Sequence, residues 1–358
     1  ILTFAAAGSE MSMSTVITDE HRKMPLDNDI CRPVFSIMNP ALTYTLPPYQ
    51  TASGIVDIMM HTMERYFIPE SQCEMTDEIA EGLLRTVIKN GPKVGVEITD
   101  LGMEGEPESV KAYYEGAATM GEIAKKAAAM EGADFLCLRL AGGDPNGLNK
   151  SVEELIETVK EVADAVDVPL VVEGCKNVEK DSELLTKVAE VLQGRNVLVM
   201  SAREEDYKAV GAAAGLAYNQ KVGAESAVDI NLAKQLNVVT TQLGVDAKKI
   251  VMNIGSAAAG YGYEYVVSTM DRIKGAALGQ NDNMLQMPII TPVSAETWAV
   301  KEATASEADM PEWGSADERG IDMEVMTAAA DLAAGSDAVI LRHPESIKTI
   351  SKMIKALV

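Results

Sequence analysis

The chain has 358 residues and 47% hydrophobic content, enough for a sizeable core in one large domain or two. A formal net charge of −23 without any basic cluster argues against duplex nucleic acid and anionic membranes as partners; no apolar run reaches the roughly 18 residues of a membrane span, and the apolar opening lacks the basic stretch of a secretory signal. The four cysteines, Cys31, Cys73, Cys137 and Cys175, are scattered without a C-x-x-C. A structural zinc or an iron–sulfur cluster held by this chain alone is therefore not expected, and reduced thiols in a cytoplasmic protein are.

The first 90 residues form one segment. Pro33–Met38 reads as a short strand, Asn39–Pro48 as a Pro-rich turn region, Tyr49–Tyr66 as a Met-rich helix and Thr76–Lys89 as an amphipathic helix stopped by Gly91-Pro92. A mainly helical appendage is the expectation. Ala7-Gly8-Ser9-Glu10, Arg32 to Pro40, Leu42 to Pro48 and Thr51 to His61 closely resemble, in order and spacing, part of the iron-containing alcohol dehydrogenase family. Asp57 and His61 stand at i and i+4, so carboxylate and imidazole share a helix face and can share a cation. The resemblance implies that this pair supplies two of four metal ligands. The other two would be histidines further on, and the chain has only His21, His61 and His343. The dinucleotide-binding fold that precedes this segment in the family is absent too. The pair is therefore expected to be vestigial.

From Lys93 the pattern changes to strands separated by helical stretches. Eight strands are predicted, at Lys93–Ile98, Asp134–Leu140, Val168–Glu173, Asn196–Ser201, Lys221–Glu225, Lys249–Ile254, Pro288–Val293 and Ala338–Arg342. Near-continuous Val/Ile/Leu/Met runs mark strands buried on both faces, as in a parallel sheet. Eight strand–helix units of this total length predict an α/β fold, a (β/α)8 TIM barrel over 93–358 carrying the 1–90 appendage. Ser151-Val152-Glu153-Glu154 is a capping-box pattern, and Pro344 sits where the last helix should begin. His343 reads as a turn or capping residue.

In such a barrel, function belongs to the loops after the strands. Strand two runs into Ala141-Gly142-Gly143-Asp144-Pro145-Asn146-Gly147. Strand six runs from Asn253 through Gly255, Ser256 and Ala257–Ala259 to Gly260-Tyr261-Gly262-Tyr263-Glu264-Tyr265. Small residues there let a flat ligand approach, and the tyrosines offer polar-tipped aromatic contact; the same glycines equally serve tight βα turns. The spacing after Gly255 is not that of a nucleotide phosphate loop, because Tyr261 follows Gly260 where a Lys is needed.

Ala133 to Leu140, Asp164 to Leu170, Val228 to Asn237, Gly260 to Tyr265, Met284 to Ile290, Pro311 to Gly314 and Arg342 to Glu345 resemble the small subunit of the corrinoid iron–sulfur protein, the delta subunit of the carbon monoxide dehydrogenase/acetyl-CoA synthase complex. The resemblance covers essentially the whole barrel. It implies half of a heterodimer whose large subunit carries the corrinoid (cobalamin) and a [4Fe–4S] cluster. It implies also a methyl group passed from a methyl-pterin methyltransferase to acetyl-CoA synthase. Alcohol-dehydrogenase-like sequence then occupies the place of the family's own N-terminal segment, as in a chimera. No catalytic side chain is expected. The corrinoid-contact candidates are Asn253, Gly255, Ser256, Gly260, Tyr261 and Gly262, then Thr291, Asp144 and Asn146. The alternatives are a free-standing barrel methyltransferase, with Asp100, Asp144, Asn146 and Asn253 holding a pterin, an inactive alcohol dehydrogenase fragment, and a structural scaffold.

Overall fold

The computed structural model describes residues 13–19, 22–32, 34, 57, 60 and 91–357. The chain divides into two units, Ile1–Gly91 and Pro92–Leu357.

In the first unit the described residues form an antiparallel hairpin, β1 (Ser14–Asp19) and β2 (Arg22–Asp27), in register from Ser14 opposite Asp27 to Asp19 opposite Arg22. A 3-10 turn, Asp29–Cys31, follows, its first N–H groups capped by Asn28, whose side chain accepts from Ile30 N at 3.0 Å. This hairpin departs from the helical expectation. Pro25 hides it in the sequence, because proline interrupts a strand pattern; a two-stranded ribbon is all edge, so a residue without an N–H is tolerated there. Asp57 and Met60 are helical. His61, the strand expected at Pro33–Met38 apart from Val34, the rest of the Tyr49–Tyr66 helix and the whole Thr76–Lys89 helix lie outside the described residues.

The second unit is a closed barrel of eight parallel strands in the order β10-β3-β4-β5-β6-β7-β8-β9. The strands are β3 (Lys93–Thr99), β4 (Phe135–Arg139), β5 (Leu170–Glu173), β6 (Val197–Ala202), β7 (Lys221–Glu225), β8 (Ile250–Asn253), β9 (Ile289–Thr291) and β10 (Ala338–Leu341). All eight predicted strands are present. Several are shorter than their apolar runs because Pro169, Pro288 and Pro292 have no N–H to offer the ladder at those ends. The helices begin where caps permit: Ser151 and Glu154 close the capping box on Val152–Ala165, and Pro344 is the first residue of Pro344–Leu357. A second capping box, Thr119 with Glu122 on Met120–Ala128, was not read from the sequence.

Side chains alternate across each strand, and that alternation builds two cores. Outward residues such as Val96, Leu138, Val172 and Leu341 pack with the helices, whose buried stripes include Leu155, Val159 and Val162. Inward residues fill the barrel's lower interior: Phe135, Cys137, Val171, Leu198, Met200, Ile290 and Ile340. Large and small residues interlock there. A Cβ on Gly95 would overlap the Phe135 ring, and one on Gly223 would lie 2.5 Å from Met200 Cγ.

Gly95→Ala is therefore expected to destabilise the barrel by about 1–3 kcal/mol, the usual cost of overpacking, with part of the loss recovered in Gly95→Ala/Phe135→Leu. Urea unfolding of both variants checks this. An unchanged midpoint for Gly95→Ala would mean the interior is not packed as described.

Candidate functional site

The inward positions change character at the C-terminal ends of the strands. Glu97, Arg139, Glu173 and Glu225 continue the inward rows of β3, β4, β5 and β7, and Arg342 continues that of β10. Asn253 closes the row of β8. A barrel that is apolar below thus carries a charged layer at the C-terminal end of its strands.

Arg342 organises one side of this layer. Its Nη2 and Nε donate to Glu97 Oε1 at 2.6 and 3.2 Å, and its Nη1 lies 3.7 Å from Glu106 Oε2. Glu97 Oε2 accepts from Ser294 Oγ at 2.8 Å, and Arg139 Nε stands 3.7 Å away. Burial alone would raise the Glu97 carboxyl. The Arg139 and Arg342 charges, with the hydrogen bonds from Arg342 and Ser294, outweigh it and hold Glu97 below its ordinary value. Arg203 organises the other side, with Nη1 at 3.1 Å from Asp181 Oδ2 and Nη2 at 3.1 Å from Glu225 Oε2. Asp181 in turn accepts from Cys175 N at 2.7 Å.

Glu173 lies between these two sets and belongs to neither. It is 4% exposed, and its Oε2 is enclosed without a hydrogen-bond partner. Burial pushes its carboxyl up to about 7; Glu97 adds to the rise, and Arg139 and Lys176 only partly oppose it. Its cross-strand neighbour is Arg139, whose Nε is likewise enclosed and without a hydrogen bond. Sequence reading missed this layer because a charged residue at or next to the end of an apolar run does not reveal which face of the strand it takes. The signal was present: Glu97, Arg139, Glu173 and Glu225 lie an even number of residues from the inward Gly95, Cys137, Val171 and Gly223.

The residues predicted from sequence divide by the face they occupy. Asn253 faces the mouth, yet both ends of its amide are engaged: Nδ2 donates to Ser201 Oγ at 2.9 Å, and Oδ1 accepts from Gly255 N at 3.0 Å. Gly255, Gly260 and Gly262 all have φ between +81 and +90, a backbone region that favours glycine. Gly262 is the N-cap position of helix Tyr263–Gly279. Tyr261 and Tyr265 are exposed on the rim, and Tyr261 Oη donates to Glu302 Oε2. A Cβ at Gly260 would meet nothing within 4 Å.

Two candidates do not face the rim. Ser256 turns outward, its Oγ donating to Asp331 Oδ2 at 2.9 Å on helix Ala316–Ala334. Thr291 is fully enclosed on the outward face of β9, with its hydroxyl 3.0 Å from Ser336 Oγ. Its parity is opposite to that of the inward Ile290, which is why it cannot face the mouth. Asp144 folds its own loop by accepting from Asn146 N at 2.9 Å, and Asn146 is exposed beside it. Asp100 is buried and fully used, accepting from Gly142 N and Lys150 Nζ, each at 2.8 Å. His343 is a cap, as expected: its Nδ1 accepts from Glu345 N at 3.1 Å while Nε2 meets Ser109 Oγ at 3.0 Å. Asp57 is half-buried. Among the described residues, no three His, Cys, Asp or Glu side chains are grouped to hold a metal ion.

The architecture is that of a (β/α)8 barrel with a glycine-rich rim over a charged mouth. Residues 84–351 match the CO dehydrogenase/acetyl-CoA synthase delta subunit family, and the chain belongs to that family. It is 33% identical over 276 residues to acetyl-CoA decarbonylase/synthase complex subunit delta 1 of Methanosarcina thermophila, a match covering 75% of this chain and 62% of that one. It is also 33% identical over 266 residues to the delta subunit of Methanothermobacter thermautotrophicus, covering 74% of this chain and 67% of that one. The chain thus spans 62% of the length of the Methanosarcina relative. Among solved structures, a Yersinia pestis dihydropteroate synthase with a sulfonamide drug aligns with a TM-score of 0.50 at 12% identity, over 75% of this chain and 94% of that one. At that identity the likeness is one of fold. No helix among the described residues is long and apolar enough to cross a membrane.

Glu173 makes the stability of the barrel depend on pH. Its folded-state value, raised from 4.5 to about 7, means the folded chain keeps a proton that the unfolded chain releases between those values. Stability from this group is therefore present below pH 4.5 and lost as pH rises to about 7. Glu173→Gln removes the penalty. We expect it to be more stable than the unsubstituted protein at pH 8, by on the order of 2–3 kcal/mol, and equal to it at pH 4.5. Chemical denaturation at the two pH values measures this; an advantage independent of pH would refute it.

Proposed function

We propose that this chain is the small, delta subunit of a corrinoid iron–sulfur methyl carrier. In this reading the C-terminal rim of its barrel covers a cobalamin held mainly by a large partner subunit, which also holds the iron–sulfur cluster. The observation that carries the reading is the family match, which runs through all eight barrel strands. The rim chemistry supports it. A corrinoid is a wide, largely apolar disc fringed with amide arms. The open space at Gly260 and the exposed Tyr261 and Tyr265 suit its face, and the polar mouth suits its fringe. When bound, the corrinoid supplies a cobalt that accepts and releases a methyl group. This chain's residues bind and shield it without a catalytic side chain. Gly255, Gly260, Tyr261 and Gly262 are the contacts we favour, with Asp144 and Asn146 on the neighbouring loop. The methyl donor would be a methyl-pterin methyltransferase and the acceptor acetyl-CoA synthase, each met transiently in the cytoplasm, in the reductive acetyl-CoA pathway.

The pterin-binding methyltransferase reading has less support from its own nominated residues. Asp100 is committed to Gly142 and Lys150, and both ends of the Asn253 amide are engaged. Residues 1–90 we read as an iron-alcohol-dehydrogenase-like segment without that activity, since two ligands, Asp57 and His61, do not make an iron site.

Mixing the purified chain with a corrinoid-bearing large subunit should give a heterodimer by size-exclusion chromatography, with a perturbed cobalamin absorption spectrum. Gly260→Trp, which also strains a backbone at φ +90, should abolish the spectral change, and Tyr261→Ala, which adds no such strain, should weaken it, while both variants still fold. Heterodimer formation without any effect of Gly260→Trp would remove this loop from the interface; no heterodimer would remove the reading. Assay of the same preparation with iron, NAD and short alcohols should give no oxidation, and measurable turnover would overturn our reading of residues 1–90.

A further inference from the structure

We infer that the neighbouring Arg139 and Glu173 side chains form a subsite for a planar amide edge, that is, an N–H donor beside a C=O acceptor on the ligand. This inference rests on the corrinoid reading for one of its two possible ligands and stands apart from it for the other. The two residues are direct cross-strand neighbours at the ends of β4 and β5, both on the inward row. Around them the other charges of the mouth are in ion pairs; Arg139 itself lies 3.7 Å from Glu97 Oε2, and Glu173 has no ion pair among the described residues. Arg342 is matched to Glu97 and Glu106, and Arg203 to Asp181 and Glu225. The Glu173 Oε2 and Arg139 Nε atoms are enclosed and without a hydrogen bond. Buried polar atoms are nearly always satisfied, so an acceptor and a donor without hydrogen bonds on neighbouring residues of one inward row define what a ligand there would have to supply.

The complement of a carboxylate next to a guanidinium N–H is a group that donates on one side and accepts on the other. An anion does not fit. The mouth already holds five acids, Glu97, Glu106, Glu173, Asp181 and Glu225, against three arginines, Arg139, Arg203 and Arg342, so a second carboxylate or phosphate would be repelled. A simple cation would leave the Arg139 N–H unpaired. A neutral amide edge satisfies both atoms and adds no charge. The Arg139 and Glu225 side chains are 19% and 22% exposed at this end of the barrel. Two small molecules carry such an edge here: the primary carboxamide arms of a corrinoid, and the lactam edge of a pterin.

The test uses the full chain, titrated separately with dicyanocobinamide, followed by visible absorption, and with 6-methylpterin, followed by fluorescence. Hydrolysed dicyanocobinamide, its amide arms converted to carboxylates, is the control. At least one amide-bearing probe should bind, and the hydrolysed probe should bind at least tenfold more weakly. Glu173→Leu and Arg139→Met should each weaken the binding about tenfold, with the isosteric Glu173→Gln between them and the unsubstituted chain. Glu173→Gln also guards against loss of folding, which far-ultraviolet circular dichroism checks for all three. Binding should strengthen as pH rises through about 7, because the ligand's N–H needs the ionised Glu173 carboxylate. Failure of both probes to bind, or equal binding by all variants, would overturn the subsite. If that happens while the chain still assembles with a corrinoid-bearing large subunit, the functional reading survives and the subsite alone fails. Binding of 6-methylpterin but not of dicyanocobinamide would keep the subsite and assign it to the pterin, to the detriment of the corrinoid-covering role.

Discussion

The contact between Arg342 and Glu97 spans the seam at which the barrel closes. β10 pairs with β3 there, with Leu341 opposite Val96, so the next residue of each strand meets the other in the charged layer. A buried ion pair of this kind contributes little net stability, because desolvation offsets most of the attraction, yet removing one partner commonly costs about 3–5 kcal/mol. Its consequence is geometric. With Arg342 held by Glu97 and Glu106, and Ser294 brought onto the other Glu97 oxygen, the first strand, the last strand, the loop after the first and the short helix Val293–Thr297 are fixed to one another across the mouth.

That arrangement leaves the charges on the two sides of the mouth unequal. Glu97 takes the hydrogen bonds of Arg342, and Arg139 remains at 3.7 Å from it, attracted but not bonded. Arg203 is consumed by Asp181 and Glu225. Glu173 is then an acid with no base of its own, which is why burial governs its titration and its proton is held to about pH 7. The same logic, weaker, applies at Asp331 behind the rim. Burial pushes its carboxyl up to about 6, and the hydrogen bond from Ser256 only moderates the rise.

How much of this was legible in the sequence depends on which side of each strand carried the information. The eight strands were legible because their apolar runs are unbroken, and the capping box at Ser151 and the His343 cap because such signals are local. The charged layer was not, since Glu173 and Arg342 end their predicted strands while Glu97 and Arg139 sit one residue inside theirs, and which face each takes is ambiguous without the partner strand's register. Thr291 and Ser256 were misplaced for a related reason. Type and position in a strand-end loop do not reveal the face, and one residue of parity separates the inward Ile290 from the enclosed Thr291. The hairpin of β1 and β2 was obscured by Pro25, which only an edge position accommodates.

The rim and the mouth are held by different parts of the molecule. The glycine loop after β8 is tied from outside, Ser256 to Asp331 and Ala259 N to Thr327 Oγ1 at 3.1 Å, both partners lying on helix Ala316–Ala334. The mouth is tied from inside, by ion pairs and hydrogen bonds that join strand ends to one another and to adjoining loops and helices. Changes in loop shape therefore need not disturb the charge pattern beneath, and substitutions in the charge pattern need not move the loop. A barrel built this way can present one rim to a large flat partner while adjusting, in the layer below, which small polar edge it accepts. Barrel architecture alone leaves that choice open; here it rests on two neighbouring side chains, Arg139 and Glu173.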